Sequence, residues 1–166
     1  GNYYIFDRRP IGFKEIPPHL KDALIATEDA RFYKHDGVDK LSLMRVFFKT
    51  LLMQDESSGG GSTLTQQLVK NIYGRPDSGT LGLVVSKFKE FIVAQRIEQV
   101  YSKEEIINLY LNTVPFPDNT YGIESASQKF FNKSTELLTL NEAAILVGTL
   151  KANNSYNPRV PPDRAK

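Results

Sequence analysis

Three capping boxes punctuate this chain and commit it to helix. Thr63 with Gln66, Ser102 with Glu105 and Thr139 with Glu142 each set an N-cap hydroxyl three residues ahead of a carboxylate or amide. That spacing satisfies backbone donors reciprocally at a helix start. Pro17-Pro18 can open a further helix, because proline is tolerated in the first turn, and Leu20, Leu24, Ile25 and Phe32 recur behind it at helical spacing. Other helical segments are expected over Leu41 to Met53, from Thr63 onward, and over Leu83 to Tyr101, Ile106 to Asn112, Gly122 to Phe131 and Ala143 to Leu150. Ser57 to Gly61 and Gly74 to Gly82 read as loops, and Pro115-Phe116-Pro117 as a break. Alternating patterns are scarce, and Tyr3 to Phe6 is the best strand candidate. The fold class is mainly α.

The 166 residues suit one domain with its own core and room for a smaller attached lobe. Lys and Arg number 21 against 19 Asp and Glu, a formal charge of +2. A balance so near neutral gives no argument for nucleic acid. The absence of cysteine excludes disulfides and thiolate-bound zinc. The two histidines, His19 and His35, have no partner at metal-ligand spacing. No run reaches the roughly 18 apolar residues of a membrane span, and no signal-peptide pattern opens the chain. The basic, proline-rich stretch Asn157 to Lys166 reads as a continuing connection, so a fragment of a longer protein is expected.

Four segments carry polar residues where chemistry could sit. In the first, residues 28 to 37, Glu28 continues the stripe of Leu20 and Leu24 at i, i+4 and i+8. Burial disfavours the charged form of a carboxylate, which suits general acid–base work; the plainer alternative is an ion pair with Arg31 or a lysine. In the second, Gly59 to Asn71, a glycine loop feeds a helix N-terminus, a natural anion site. Gln67, Lys70 and Asn71 share one face of that helix, with Thr63 a turn earlier. A phosphate or pyrophosphate fits such a face; a solvated helix is the alternative. The spacing is not that of a P-loop. In the third, Leu83, Lys87, Glu90, Ala94, Ile97 and Tyr101 lie along one face, so Glu90 is expected to be partly buried and paired with Lys87. The fourth, Lys103 to Asn112, has core spacing and reads mostly as scaffold.

Taken in order, these segments resemble family 51 glycosyltransferases, the group containing the glycosyltransferase domain of class A penicillin-binding proteins and the monofunctional peptidoglycan glycosyltransferases. Residues 28 to 37 fit the family's Glu-Asp-x-x-Phe-x-x-His-x-Gly at every fixed position. Residues 60 to 71 fit Gly-Gly-Ser-Thr-(Ile/Leu)-Thr-Gln-Gln-Leu-x-Lys-Asn. Ser86-Lys87-Phe88-Lys89-Glu90 resembles Arg-Lys-x-x-Glu. Ile107 to Asn112, Tyr121-Gly122-Ile123-Glu124 and Asn141-Glu142-Ala143-Ala144 fit the later motifs. The likeness covers nearly the whole chain.

The resemblance implies a lysozyme-like bilobal glycosyltransferase domain with a smaller apolar jaw lobe at the membrane surface. It implies an enzyme that polymerises lipid II into β-1,4-linked glycan strands, with inversion and release of undecaprenyl pyrophosphate. Glu28 would be the general base, and Glu90 a second essential glutamate. Ser62, Gln67, Lys70, Asn71 and Lys87 would surround the donor pyrophosphate, with Asp29 and His35 supporting them. A divalent cation (Mg or Mn) at Glu90 stays open, as does a role for Glu90 in orienting the lysines; no organic cofactor is implied. Implied partners are lipid II, the growing lipid-linked chain, the membrane surface and moenomycin-type inhibitors, with no nucleic acid. The implied location is the outer face of the bacterial cytoplasmic membrane. The resemblance implies a membrane anchor ahead of residue 1 and, in bifunctional members, a transpeptidase domain after Lys166.

This sequence departs from the family pattern at three places. Ser86 stands where arginine is usual, with Lys89 or Arg96 as substitute cations. Pro115-Phe116-Pro117 replaces a Tyr-x-Gly stretch, and Asn153-Asn154 replaces Ala-Pro. Leu41 to Met53 can be read as core or as a membrane-facing helix carrying Phe47 and Phe48, with Arg45 and Lys49 on its polar side. Two rival functions stand beside the polymerase. A lysozyme-like fold with two carboxylates could cleave glycan, although the Lys-Asn face suits a pyrophosphate that a hydrolase never meets. A non-catalytic lipid II-binding module would have no use for two intact glutamates.

Overall fold

The computed structural model describes residues 9–44, 61–74 and 79–151. Six helices and one short hairpin dominate them: α1 (Pro18–Glu28), α2 (Leu64–Tyr73), α3 (Gly79–Val100), α4 (Lys103–Thr113), β1 (Pro115–Phe116), β2 (Thr120–Tyr121), α5 (Ile123–Phe131) and α6 (Leu140–Lys151). The mainly α expectation holds. Tyr3 to Phe6, most of Leu41 to Met53, Ser57 to Gly60 and Asn153-Asn154 lie outside the described residues; a helical turn over residues 40–44 opens the second of these. No helix among the described residues is long and apolar enough to cross a membrane.

The chain divides into two compact units, one built from Gly1–Thr27 with Ile107–Lys166 and the other from Glu28–Ile106. The first unit buries Leu20 and Leu24 of α1, Ile107, Tyr110 and Leu111 of α4, Ile123 of α5 and Leu146 of α6. Burying a side chain of this size is worth about 1.5–3 kcal/mol. Asn112 ties the segment ahead of α1 to α4: Ile11 N–H donates to its Oδ1 at 2.9 Å, and its Nδ2 donates to the Ile11 carbonyl at 3.0 Å. Gly122 sits at φ +82, and a Cβ there would lie 2.9 Å from the Asn112 carbonyl oxygen, so only glycine lets α5 start at this point.

All three capping boxes form. Thr139 and Glu142 close one around α6, with the Thr139 N–H and hydroxyl both donating to Glu142 Oε2 at 2.9 Å. Glu142 also accepts from Lys133, and its carboxyl is held down to about 2, chiefly by the Lys133 hydrogen bond and then by the Thr139 N–H. Two helix bounds need correction, and the proline break, which holds, has a structure of its own. Phe32 is not on α1, which ends at Glu28; it is buried from a 3-10 turn, Phe32–Lys34. The proline break is half of a hairpin: β1 pairs antiparallel with β2, and Asp118 and Asn119 turn it at φ 58 and 54. Both are residue types that tolerate the left-handed region. Finally, α3 begins at Gly79, inside the expected loop.

In the second unit α2 packs on α3. Leu64, Leu68 and Val69 are buried from α2 and Ser86, Glu90 and Ala94 from α3. The buried stripe of α3 therefore runs through residues 86, 90 and 94. Leu83 and Tyr101, expected on the inner face, are 50% and 44% exposed.

Candidate active site

Every candidate residue lies in the second unit. Its frame is the segment between α1 and the turn at residue 40. Asp29, buried where the helix ends, accepts the Leu64 N–H at 3.0 Å and the His35 Nε2–H at 3.0 Å. An aspartate thus satisfies one of the orphan donors at the start of α2, where the dipole favours negative charge. Thr63 caps the same helix and donates its hydroxyl to the Gly37 carbonyl at 2.6 Å. It is buried and spent on this framework, so it leaves the exposed face on which it was expected. Gly37 has φ +85, and a Cβ there would lie 2.7 Å from the Ala94 carbonyl carbon. The last glycine of the motif is what lets this loop lie against α3.

Glu28 is the last residue of α1. Its Oε2 accepts from Gln67 Nε2 at 2.9 Å. Its Oε1 is buried and has no hydrogen-bond partner among the described residues. Arg31, one partner offered by the plainer alternative, pairs instead with Asp39 at 3.0 Å. Asp39 also accepts the N–H groups of Leu41 and Ser42 and the Ser42 hydroxyl, capping the turn at residues 40–44. Burial acts to raise its pKa, but the Ser42 bonds, Arg31 and the Leu41 N–H outweigh it and hold the carboxyl below the usual range. An Asp-x-x-Ser cap of this kind was legible in the sequence but was not singled out.

A second cluster joins Ser62, Lys87 and Glu90. Lys87 Nζ donates to Ser62 Oγ at 2.8 Å and to Glu90 Oε2 at 2.7 Å, and Glu90 is 4% exposed. The expected i, i+3 pair is present, with the serine of the glycine loop drawn into it. Lys70 stands exposed on α2 and Asn71 is half-buried beside it. Two groups thus emerge: Glu28 with Gln67, and Lys87 with Ser62 and Glu90. Both are anchored to α2 or to the loop that feeds it.

Beside Glu90, α2 and α3 leave a cavity of about 320 Å³ walled by Val69, Tyr73, Ser86, Lys89, Glu90 and Val93. Ser86, the departure from the family's arginine, is buried against it. Lys89, named in the sequence only as a substitute cation, stands on this wall, whereas Arg96 does not. The three-residue offset between Ser86 and Lys89 places both on one side of a helix, which is the signal that could have found the wall earlier.

The chain belongs to the Transglycosylase family, which it matches over residues 4–166. It is 40% identical to penicillin-binding protein 1F of Bacillus subtilis (strain 168) over 166 residues, which is 100% of this chain and 22% of that protein. It is 41% identical to penicillin-binding protein 1A of Escherichia coli (strain K12) over 158 residues, 95% of this chain and 18% of the relative. Against penicillin-binding protein 1A of Neisseria flavescens the identity is 43% over 152 residues, 92% of the chain and 18% of the relative. The chain therefore spans about a fifth of the length of these relatives.

Proposed function

We propose that this domain is a peptidoglycan glycosyltransferase that polymerises lipid II into β-1,4-linked glycan strands. The observation that carries the reading is Glu28: one carboxylate oxygen is fixed by Gln67 and the other is buried without a partner among the described residues. An unsatisfied buried acceptor costs about 1–3 kcal/mol. A substrate hydroxyl placed at this oxygen would satisfy it, which is the role assigned to it here. On this reading Glu28 takes the proton from the 4-hydroxyl of the acceptor sugar. That oxygen bonds to the donor's anomeric carbon, the bond to undecaprenyl pyrophosphate breaks, and the electron pair leaves with the phosphate. Attack opposite the leaving group turns an α-linked donor into a β linkage.

Charge building on the pyrophosphate needs donors set in advance. Lys87 and Ser62 supply two, Lys70 and Asn71 present two more from α2, and Lys89 adds a cation on the cavity wall. Among the described residues no group of three or more His, Cys, Asp or Glu could hold a metal ion, and Glu90 faces Lys87. The Lys87 bond supports reading Glu90 as orienting that lysine, and a divalent cation held by Glu90 together with the donor pyrophosphate is the second reading. The membrane surface, the growing lipid-linked chain and moenomycin-type ligands are the partners this reading implies, at the outer face of the cytoplasmic membrane. The test is lipid II turnover in detergent, wild type against Glu28→Gln. Polymer from the wild type and none from the mutant supports the reading. Cleavage of finished cell wall, or equal turnover by the mutant, overturns it.

A further inference from the structure

Glu98 and Lys103 belong to none of the groups described so far, yet they close a ring of bonds with His35, Asp29 and the head of α2. Glu98 is on α3 and its side chain is 3% exposed. Its Oε1 accepts the Thr65 hydroxyl at 2.5 Å, and its Oε2 accepts from the Lys103 ammonium. Lys103, first residue of α4, also donates to the His35 carbonyl at 2.6 Å and lies 4.3 Å above the centre of the Phe32 ring. His35 holds Asp29, and Asp29 holds the Leu64 N–H at the head of α2. Thr65, one residue on from Leu64, returns the ring to Glu98.

Two bodies are fixed to each other by this ring. One is the loop that begins at Glu28. The other is α2, which carries Gln67 and Lys70. Among the described residues Glu28 itself bonds α2 through Gln67; the bond from Thr63 to the Gly37 carbonyl also ties the loop to the head of α2, and the ring adds the link through α3 and Lys103. A buried ion pair is a poor source of net stability, since desolvation offsets most of its attraction. It does fix geometry, because a lysine offers several donors from one point. Here those donors go to a carboxylate on α3 and a carbonyl in the loop.

We propose that Lys103 and Glu98 are positioning residues, which hold the Glu28 loop in register with α2 so that the free oxygen of Glu28 is presented at a fixed place. The proposal rests on the reading of Glu28 as base. Its test compares Lys103→Met, Lys103→Arg and Glu28→Gln in the full-length protein, by lipid II turnover and by hydrogen exchange at the Leu64 amide. We expect Lys103→Met to lower kcat roughly 10- to 100-fold, the scale of an ångström of misplacement, with KM within about twofold. The Leu64 amide should lose protection while the far end of α2 keeps it, and Lys103→Arg should recover most of both. A kcat within twofold of wild type for Lys103→Met overturns the proposal, as does an arginine variant no better than the methionine one. If wild type and Glu28→Gln turn over equally, the base assignment has failed instead. The clamp is then judged on the Leu64 amide alone, and unchanged protection sinks it.

Discussion

Glu28 and Glu124 are both glutamates at helix ends, and the structure treats them in opposite ways. Glu124 is in the first turn of α5, where the helix dipole favours a carboxylate. Its Oε2 accepts the Thr135 N–H at 2.8 Å and the Thr135 hydroxyl at 2.7 Å, and its Oε1 accepts from Gln128 at 3.1 Å. Burial acts to raise its pKa, but the Thr135 and Gln128 bonds and the charge of Arg9 outweigh it, so the group stays below its usual range. Glu28 closes α1 at the unfavourable end of the dipole, and among the described residues one of its oxygens has a partner and the other has none. The first glutamate spends its hydrogen-bonding capacity on folding. The second keeps half of it back. A residue's role in a family motif does not separate the two cases, since both positions fit one; the count of satisfied oxygens does.

The sharpest way to break this contrast is to neutralise each carboxylate in turn. Glu28→Gln should lower polymerisation by about a thousandfold, within the range of lost general-base catalysis. Its thermal stability should stay level or rise by up to about 1 kcal/mol, because a charge at the wrong end of a helix is removed. A variant that loses stability together with activity would make Glu28 a second Glu124. The scaffold beneath Glu28 is the next largest effect. Gly37→Ala puts a methyl group into the α3 backbone at a positive φ, and should cost about 3 kcal/mol or more in denaturant unfolding. Loss below 1 kcal/mol would mean that the loop can lift from α3 without penalty.

Glu124→Gln reverses the pattern of Glu28. It should destabilise by about 1–3 kcal/mol through mispaired Thr135 donors, while turnover of the folded enzyme stays within a few-fold. Collapse of kcat in folded protein would end its structural assignment. The smallest effect is on pH dependence. Because the folded pKa of Glu124 lies below its ordinary 4.5, its stabilisation is full above that value and fades as pH falls through the folded one. A chemical denaturation series from pH 6 down to pH 3 should show wild type losing more stability than Glu124→Gln. Parallel curves would count against the shift.

The helix starts were legible because a capping box is a local device: both partners lie within one turn, and Thr63, Ser102 and Thr139 needed nothing distant to declare themselves. The stripe of Leu20, Leu24 and Glu28 was equally local. Misreadings came where packing overrode the pattern. Phe32 continued the helical spacing of α1, but the chain turns at Asp29 to reach α2, and Phe32 is buried from the turn instead. Leu83 and Tyr101 matched an inner face on α3 that packing assigned to Ser86, Glu90 and Ala94. Thr63 looked like a binding-face donor, and its bond to the Gly37 carbonyl consumed it.

The sequence by itself determined the α class, the order of the motifs and the residue types at the site. Helix spacing and capping depend on neighbours a few residues apart, and family likeness depends on the string of residues alone. Only the tertiary structure decided which oxygen of Glu28 is free, that Arg31 serves Asp39, and that Lys103 reaches back to His35. Those facts join residues separated in the chain, and a hydrogen bond's existence depends on distances of a few tenths of an ångström that no spacing rule contains.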